Sequence, residues 1–205
     1  YHYDSADRLD KISDNLGNSI NYGYDTESNR TSEQIKDPAG ALKKSLTMQY
    51  DDLNRLFKAV NPDSTFTEYL YDGNGNRKDL TDPKTNKTHF DYDALNRLTK
   101  VTQNVGGSPA PLTQYGYDGQ DNLRTVTDAN GNVKTYTVDD VGRTVSVASP
   151  DTGTTRYSYD PAGNLLTKFD AKTITTTYQY DAANRLTAIQ IPDSSQNITY
   201  GYDEP

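Results

Sequence analysis

The chain has 205 residues, a formal net charge of −8, a sequence pI near 4.7 and no cysteine. Its length suits one domain, the missing cysteines exclude a disulfide or zinc-thiolate framework, and an acidic balance without a basic stripe speaks against nucleic acid or an anionic membrane as partner. Leu, Ile, Val and Phe make only 35 of the 205 residues, a level that with this charge ordinarily signals disorder; against that stand 17 tyrosines at regular positions.

The regularity begins at the first residue. Tyr-x-Tyr pairs, each followed by an aspartate, place markers at Asp4, Asp25, Asp51, Asp72, Asp93, Asp118, Asp139, Asp160, Asp181 and Asp203. The spacing is 21 residues, with two insertions of four or five, near 35–46 and 106–112. Every tyrosine belongs to one of these pairs, and Met48, Phe90 and Val138 fill the three vacant places. Four residues after the markers, arginine and asparagine alternate: Arg8, Asn29, Arg55, Asn76, Arg97, Asn122, Arg143, Asn164, Arg185. The true unit is therefore a pair of about 42 residues, and a fixed period of this kind decides the architecture. Both ends fall inside the motif, so the chain is expected to be a piece of a longer array. No secretory leader is read from these residues, nor any apolar run of membrane-spanning length.

Each unit reads as two short strands and two turns. From Asn96 onward, Leu98 to Thr102 is a strand rich in β-branched residues, Asn104 to Leu112 a Gly/Pro-containing loop, Thr113 to Tyr117 the next strand, and Asp118 to Asn122 the return turn. Turn residues interrupt every ~10 positions, which leaves no window for a helix. The expected fold is all-β: tandem strand-turn-strand repeats over 1–205, about 18 strands, in a curled or spiralling antiparallel sheet. At ~4.8 Å per strand the ribbon is on the order of 85 Å long, and a sheet of that size twists. Residues two apart share a face. One face is then an aromatic stripe, extended by Ile12, Val60, Val101, Val126, Val147 and Ile189. The middle residues of the pairs, such as Gln49, Thr137, Ser158 and Gln179, make the other face wet. The stripe needs a cover, which a coiling ribbon supplies, and the ends of the sheet are open edges prone to pair with another copy.

The residues that define the motif are Tyr22, Tyr24 and Asp25; Tyr69, Tyr71, Asp72 and Asn76; Tyr92, Asp93 and Arg97; Tyr115, Tyr117 and Asp118; Tyr157, Tyr159, Asp160 and Asn164; and Tyr178, Tyr180, Asp181 and Arg185. A structural role is expected for all of them. An Asp opening a turn accepts hydrogen bonds from backbone N–H groups two residues on. The arginines are expected to pair with the aspartate of a neighbouring repeat. Asp72-Gly73-Asn74-Gly75-Asn76 starts like a calcium loop, but Arg77 stands where glycine is needed. His2 and His89 lie in distant repeats, without zinc spacing or a triad. No catalytic residue, cofactor or metal is expected, and the aromatic stripe is read as core before it is read as a sugar-stacking surface.

Tyr-x-Tyr-Asp followed by the alternating Arg/Asn and by Asp-Pro-Ala-Gly-like turns such as Asp37-Pro38-Ala39-Gly40 resembles the YD repeat, also called the RHS repeat, over the whole chain. The resemblance implies a strand-turn-strand array that spirals into a hollow β-shell. It is similar to the shells of bacterial RHS toxins, insecticidal Tc toxins, wall-associated proteins and teneurins. It implies a structural segment of a large secreted or cell-surface protein that encapsulates or presents a C-terminal toxin or effector. The partner is then the rest of the same polypeptide. The alternative is an adhesion module that binds glycans or a surface receptor through its turns.

Overall fold

The computed structural model describes residues 1–104 and 110–203. The chain forms two compact units, Tyr1–Pro111 and Leu112–Pro205. The first is a ten-stranded antiparallel meander. Its strands are β1 (His2–Tyr3), β2 (Leu9–Ser13), β3 (Ser19–Tyr24), β4 (Arg30–Lys36), β5 (Leu42–Tyr50), β6 (Leu56–Val60), β7 (Phe66–Tyr71), β8 (Arg77–Thr81), β9 (Lys87–Tyr92) and β10 (Leu98–Gln103). Each pairs with the next in sequence. The second unit continues the pattern with β11 (Leu112–Tyr117), β12 (Leu123–Thr127), β13 (Val133–Val138), β14 (Thr144–Ser149), β15 (Gly153–Tyr159), β16 (Leu165–Phe169), β17 (Thr175–Tyr180), β18 (Leu186–Gln190) and β19 (Ile198–Thr199). Here too each strand pairs antiparallel with its successor. The one helical turn among the described residues is a 3-10 turn at Ser194–Gln196, capped by the Asp193 carboxylate.

The hairpins that carry the Tyr-Asp motif are closed by one turn geometry. The marker aspartate donates its N–H to the carbonyl of the residue four on, as Asp51 does to Arg55 at 2.9 Å. Its own carbonyl accepts the N–H three on, as from Asn54 at 2.9 Å. The residue at that third place has positive φ in all nine turns: Asp7, Ser28, Asn54, Gly75, Asn96, Asp121, Gly142, Gly163 and Asn184. This is a three-residue hairpin loop ending in a left-handed residue, which explains why only Asn, Asp, Ser and Gly stand there.

Behind each of these turns the ladder carries a bulge. The register shifts between the middle residue of the pair and its second tyrosine, as between Gly23 and Tyr24 or Leu70 and Tyr71. One residue on the returning strand, such as Thr31 or Lys78, is left unpaired. A bulge bends its strand and strengthens the local twist. Five in the first unit and four in the second, always behind the Tyr-Asp turn, give each unit a regular curl.

Neighbouring hairpins are joined by a shorter ladder. Between β2 and β3 it runs from Lys11–Asn21 to Ser13–Ser19 and stops before Tyr22. Between β6 and β7, β12 and β13, and β16 and β17 it likewise ends before the tyrosine pair. Something other than backbone pairing therefore holds adjacent hairpins together at the Tyr-Asp rim.

The faces sort as the alternation requires, with corrections. Gln49, Leu70, Thr137, Ser158 and Gln179 are exposed, while the rings beside them are half-buried. Val101, Val126, Val147 and Ile189 stand opposite Phe90, Tyr115, Tyr136 and Tyr178 on the aromatic face, and Ile12 joins them through Ile20. Val60 does not. It lies nine residues after its marker Asp51, where the others lie eight after theirs; it pairs with Phe66, and Ala59, the eighth residue and opposite Met48, takes the aromatic place. The first insertion is no longer loop either: Asp37–Ala41 closes an ordinary five-residue turn, and the added residues lengthen β4 and β5 to seven and nine residues. Leu112 belongs to β11 rather than to the loop before it; most of the second insertion lies outside the described residues. The core is thin. Among the described residues only Met48 (6% exposed) and Ala188 (7%) are buried, and no large side chain is fully enclosed.

Candidate functional site

The motif residues come together at the Tyr-Asp rim. Within each turn the aspartate is the hub. Asp72 accepts from the backbone N–H of Asn74 and of Asn76 through Oδ1, both at 2.9 Å, and from the Asn76 amide through Oδ2 at 3.0 Å. Asp93 does the same with Leu95 N, Arg97 N and Arg97 Nε at 2.9, 3.0 and 2.7 Å. Asp181 and Arg185 repeat it, and Asp25 and Asp160 accept from Asn29 and Asn164. The carboxylates at Asp51, Asp72, Asp93 and Asp160 are held below the ordinary aspartate range, foremost by the side chain four residues on and then, outweighing desolvation, by backbone N–H groups. In Asp181 the Arg185 backbone N–H leads.

Each of these arginines thus binds the carboxylate of its own turn, where the expectation was that of a neighbouring repeat. Across a five-residue turn the fifth side chain folds back over the first, and a carboxylate filled in this way has little left for another repeat. What crosses to the next repeat is the rest of the side chain. Arg8 Nη1 donates to the Asp25 carbonyl at 3.1 Å and to Ser28 Oγ at 3.0 Å, and Arg143 Nη1 donates to the Asp160 carbonyl at 3.3 Å. The guanidinium also lies over the second tyrosine of the next pair: Arg8 on Tyr24 at 4.7 Å, Arg55 on Tyr71 at 4.4 Å, Arg143 on Tyr159 at 4.9 Å and Arg185 on Tyr202 at 4.6 Å.

The asparagine copies reach across differently. The amides of Asn29, Asn76 and Asn164 donate to the Oδ1 of Asn54, Asn96 and Asn184 at 2.8, 2.7 and 2.8 Å. Each acceptor is the positive-φ residue of the following turn. After Arg8, Arg55 and Arg143 that place holds Ser28, Gly75 and Gly163, and a Cβ at Gly75 would lie 3.7 Å from Arg55 Nη1. At these six steps a long side chain is followed by a small residue and a short one by an asparagine; Asp121 after Arg97 and Gly142 after Asn122 depart from the pattern. The size match shows in the sequence only when the third and fourth turn positions are compared between successive repeats.

The second tyrosines supply the missing link between hairpins. The hydroxyl of Tyr24 donates to the Leu9 carbonyl at 2.6 Å, Tyr50 to Arg30 at 2.9 Å, Tyr71 to Leu56 at 2.7 Å, Tyr92 to Arg77 at 3.1 Å, Tyr159 to Thr144 at 2.8 Å and Tyr202 to Leu186 at 2.8 Å. Each acceptor is the fifth residue after the preceding marker, just where the ladder between hairpins has ended. Burial, followed by the nearby Tyr157 and set against Arg143, raises the Tyr159 hydroxyl above its usual range. The first rings take part by stacking: Arg30 lies over Tyr22 at 5.1 Å and Arg77 over Tyr69 at 5.8 Å. Tyr115, Tyr157 and Tyr178 occupy the same face opposite Val126, Lys168 and Ile189, Tyr117 ends β11 at the Asp118 turn, and Tyr180 pairs with Leu186 behind the last bulge.

On the opposite rim, Asp82 and Asp128 open turns as their place in the sequence suggests, and Asp14 joins them unannounced; all three build the same turn with Asn86, Asn132 and Asn18, partners that sequence reading did not single out. The signal was an Asp with Asn four places on, without the tyrosine pair. The histidines lie on the wet face: His89 Nδ1 is 2.6 Å from Asp79 Oδ1 and its Nε2 is 3.2 Å from Asp91 Oδ1, and His2 is 2.6 Å from Asp10.

With this geometry in view, comparison with known proteins finds a family model described as RHS Repeat, matching residues 71–109, 138–168 and 159–196. The tRNA nuclease WapA of Bacillus subtilis (strain 168) and the tRNA3(Ser)-specific nuclease WapA of Bacillus spizizenii are each 42% identical over 55 residues, which is 25% of this chain and 2% of each relative. Among solved structures, TcdB2-TccC3-TEV superposes on 97% of this chain with a TM-score of 0.74 and 17% identity. The Photorhabdus luminescens Tc holotoxin pore with a mutated TccC3 does so on 95%, with a TM-score of 0.68 and 17% identity. The chain spans 11% and 12% of those two structures. At such identity the likeness is one of fold.

Proposed function

Because this chain carries RHS repeats, we propose that it is a wall segment of a hollow β-shell within a larger secreted or cell-surface polypeptide, and that the shell encloses or presents a C-terminal toxin or effector. The single observation behind this reading is the rim lattice. The conspicuous polar groups are used for fastening: the marker aspartates close each hairpin, and the arginine and asparagine side chains and the tyrosine hydroxyls tie it to the next. A surface built this way is a continuous wall, and its job is to separate what lies on its two sides. The role is structural: the carboxylates of the aspartates are taken up in closing turns. The two units are parts of one array over 1–205, and the motif residues are its fasteners. Its partners are the rest of the same polypeptide and, where a sheet edge is left open, another copy of the array. Among the described residues no helix is long and apolar enough to cross a membrane.

The test is the native gene product. Intact mass, or a blot with an antibody to this segment, is expected to show a product far larger than 22.8 kDa, carrying an unrelated C-terminal segment that resists protease until the shell is opened. A product of about this mass, unattached to any other segment, would overturn the proposal and favour an adhesion module whose turns bind glycans.

A further inference from the structure

Two asparagines in the sequence stand directly before a glycine, Asn74 and Asn130. They hold the same place in the same turn, two residues after an aspartate hub. Asn74 N donates to Asp72 Oδ1 at 2.9 Å, and Asn130 N to Asp128 Oδ1 at 2.8 Å. The glycines that follow have φ of 87° and 82°, and their N–H groups donate to the hub carbonyls at 3.1 and 3.0 Å. Both asparagines are exposed.

The backbones match, but the surroundings of the two side chains do not. Asn74 lies on the Tyr-Asp rim, and its amide is held by the next turn: Nδ2 donates to Asn96 Oδ1 at 3.0 Å. Asn130 lies on the opposite rim, and among the described residues no bond joins its amide to another turn. A Cβ built at Gly131 meets nothing within 4 Å, while one built at Gly75 meets Arg55 Nη1 at 3.7 Å. The Asn130 amide is therefore free to turn towards the Gly131 nitrogen, and water reaches both. The Asn74 amide must first leave Asn96.

We propose that Asn130 is a site of spontaneous deamidation, and that lacing to the next turn shields Asn74 from the same reaction. A following glycine, without a Cβ, lets its nitrogen approach the side chain before it. The Gly131 nitrogen gives its proton to hydroxide and attacks Cγ of Asn130. The new nitrogen–carbon bond closes a succinimide, the bond from Cγ to the amide nitrogen breaks, and that nitrogen takes a proton from solvent and leaves as ammonia. Water then opens the ring at one carbonyl or the other, giving aspartate or isoaspartate. Either product adds a negative charge in the turn that Asp128 opens. Isoaspartate also routes the main chain through its side chain and lengthens it. The closing bonds from Asp128 N to the Asn132 carbonyl and from Gly131 N to the Asp128 carbonyl, both 3.0 Å, do not fit that longer path, so the turn between β12 and β13 loosens.

The test is peptide mapping by mass spectrometry of the folded 205-residue chain held at mildly alkaline pH, beside the same chain unfolded in urea. In the folded chain Asn130 is expected to convert several-fold faster than Asn74, the effect of one hydrogen bond; in urea the two are expected to convert alike. Asn96→Gly removes the acceptor and keeps a residue suited to positive φ, as Gly75 and Gly163 are at the same place; it is expected to bring Asn74 close to the Asn130 rate. The proposal is overturned if Asn130 stays intact in the folded chain while the unfolded chain converts, if Asn74 keeps pace with Asn130 in the folded chain, or if folded Asn96→Gly protein leaves Asn74 as slow as in the parent.

Discussion

The two rims of the sheet use the same turn and do different things with it. At the Tyr-Asp rim Asp72 binds Asn76, and Asn76 goes on to bind Asn96 of the next turn. At the opposite rim Asp128 binds Asn132 in the same way, and among the described residues no bond carries the Asn132 amide on to a further turn. The first rim adds a bulge behind every turn and a tyrosine hydroxyl between hairpins; at the second the backbone pairs without a break up to turns such as those after β6 and β8, and shifts register before the turn after β4, between Ile35 and Lys36. Their tolerance differs accordingly. The spacing from marker to Arg or Asn is four residues in all nine turns of the first rim, while the second rim carries the added length of β4 and β5 and admits threonine at positive φ, at Thr85 and Thr173. A turn laced to its neighbours cannot change without moving them, whereas a turn that closes only its own hairpin can.

Acid should produce the largest effect and should strike both rims. The folded-state pKa values of Asp51, Asp72, Asp93 and Asp160 at one rim and of Asp14, Asp82 and Asp128 at the other lie below the ordinary 3.8, foremost through the side chain four residues on. A depressed carboxylate stabilises the fold above its unfolded pKa and loses that contribution as pH falls towards its folded one. Urea midpoints should therefore be flat from pH 7 to about 5 and drop steeply below about pH 4. Tyr159 acts on the alkaline side: its raised pKa favours the fold below the unfolded value, 10.0, and this is lost as pH rises beyond it. A midpoint that stayed level down to pH 2.5 would remove the aspartate turns from the account.

Tyr71→Ala tests the first rim alone. It deletes a half-buried ring, its contact with Arg55 and its link to Leu56, and should cost about 3 kcal/mol in urea unfolding. Leu70→Ala, one residue away on the wet face and 51% exposed, should change stability by no more than about 0.5 kcal/mol. Equal losses would mean that the aromatic face is not the core. Tyr71→Phe keeps the ring and removes only the hydroxyl; a loss of about 1 kcal/mol is expected, and no loss would show that the ring alone joins the hairpins.

The opposite rim should improve where the first cannot. Thr85 holds φ at 67°, a poor place for a β-branched residue. Thr85→Asn should gain about 1 kcal/mol, read as a higher urea midpoint with unchanged slope. The smallest expected effect is the coupling of Asn76 with Asn96. A double-alanine cycle should return about 0.5 kcal/mol of interaction; strict additivity would mean that the alternation does not act through this contact.

Much of this was legible in the sequence because period and turn chemistry are local. The Tyr-x-Tyr pairs put rings on one face, and Asp, Asn and Gly at fixed offsets announce turns that almost any neighbourhood would permit. The misplacement of Val60 has a definite cause: it was chosen for its apolar side chain, but it stands nine residues after its marker where Val101, Val126, Val147 and Ile189 stand eight, and with a period of two one residue moves a side chain to the other face. The partner of the arginines was misplaced because a side chain four residues from a carboxylate is distant along an extended strand and adjacent across a five-residue turn.

The sequence by itself therefore determined the strand order, the position of every Tyr-Asp turn and the aromatic face, since each follows from backbone preferences and a period of two. The tertiary structure alone decided the register behind the bulges, the early end of the ladder between hairpins, and the tyrosine hydroxyls and arginine stacks that replace it. Those depend on which groups the backbone leaves unpaired once neighbouring hairpins lie side by side, a quantity that exists only after the strands have been brought together.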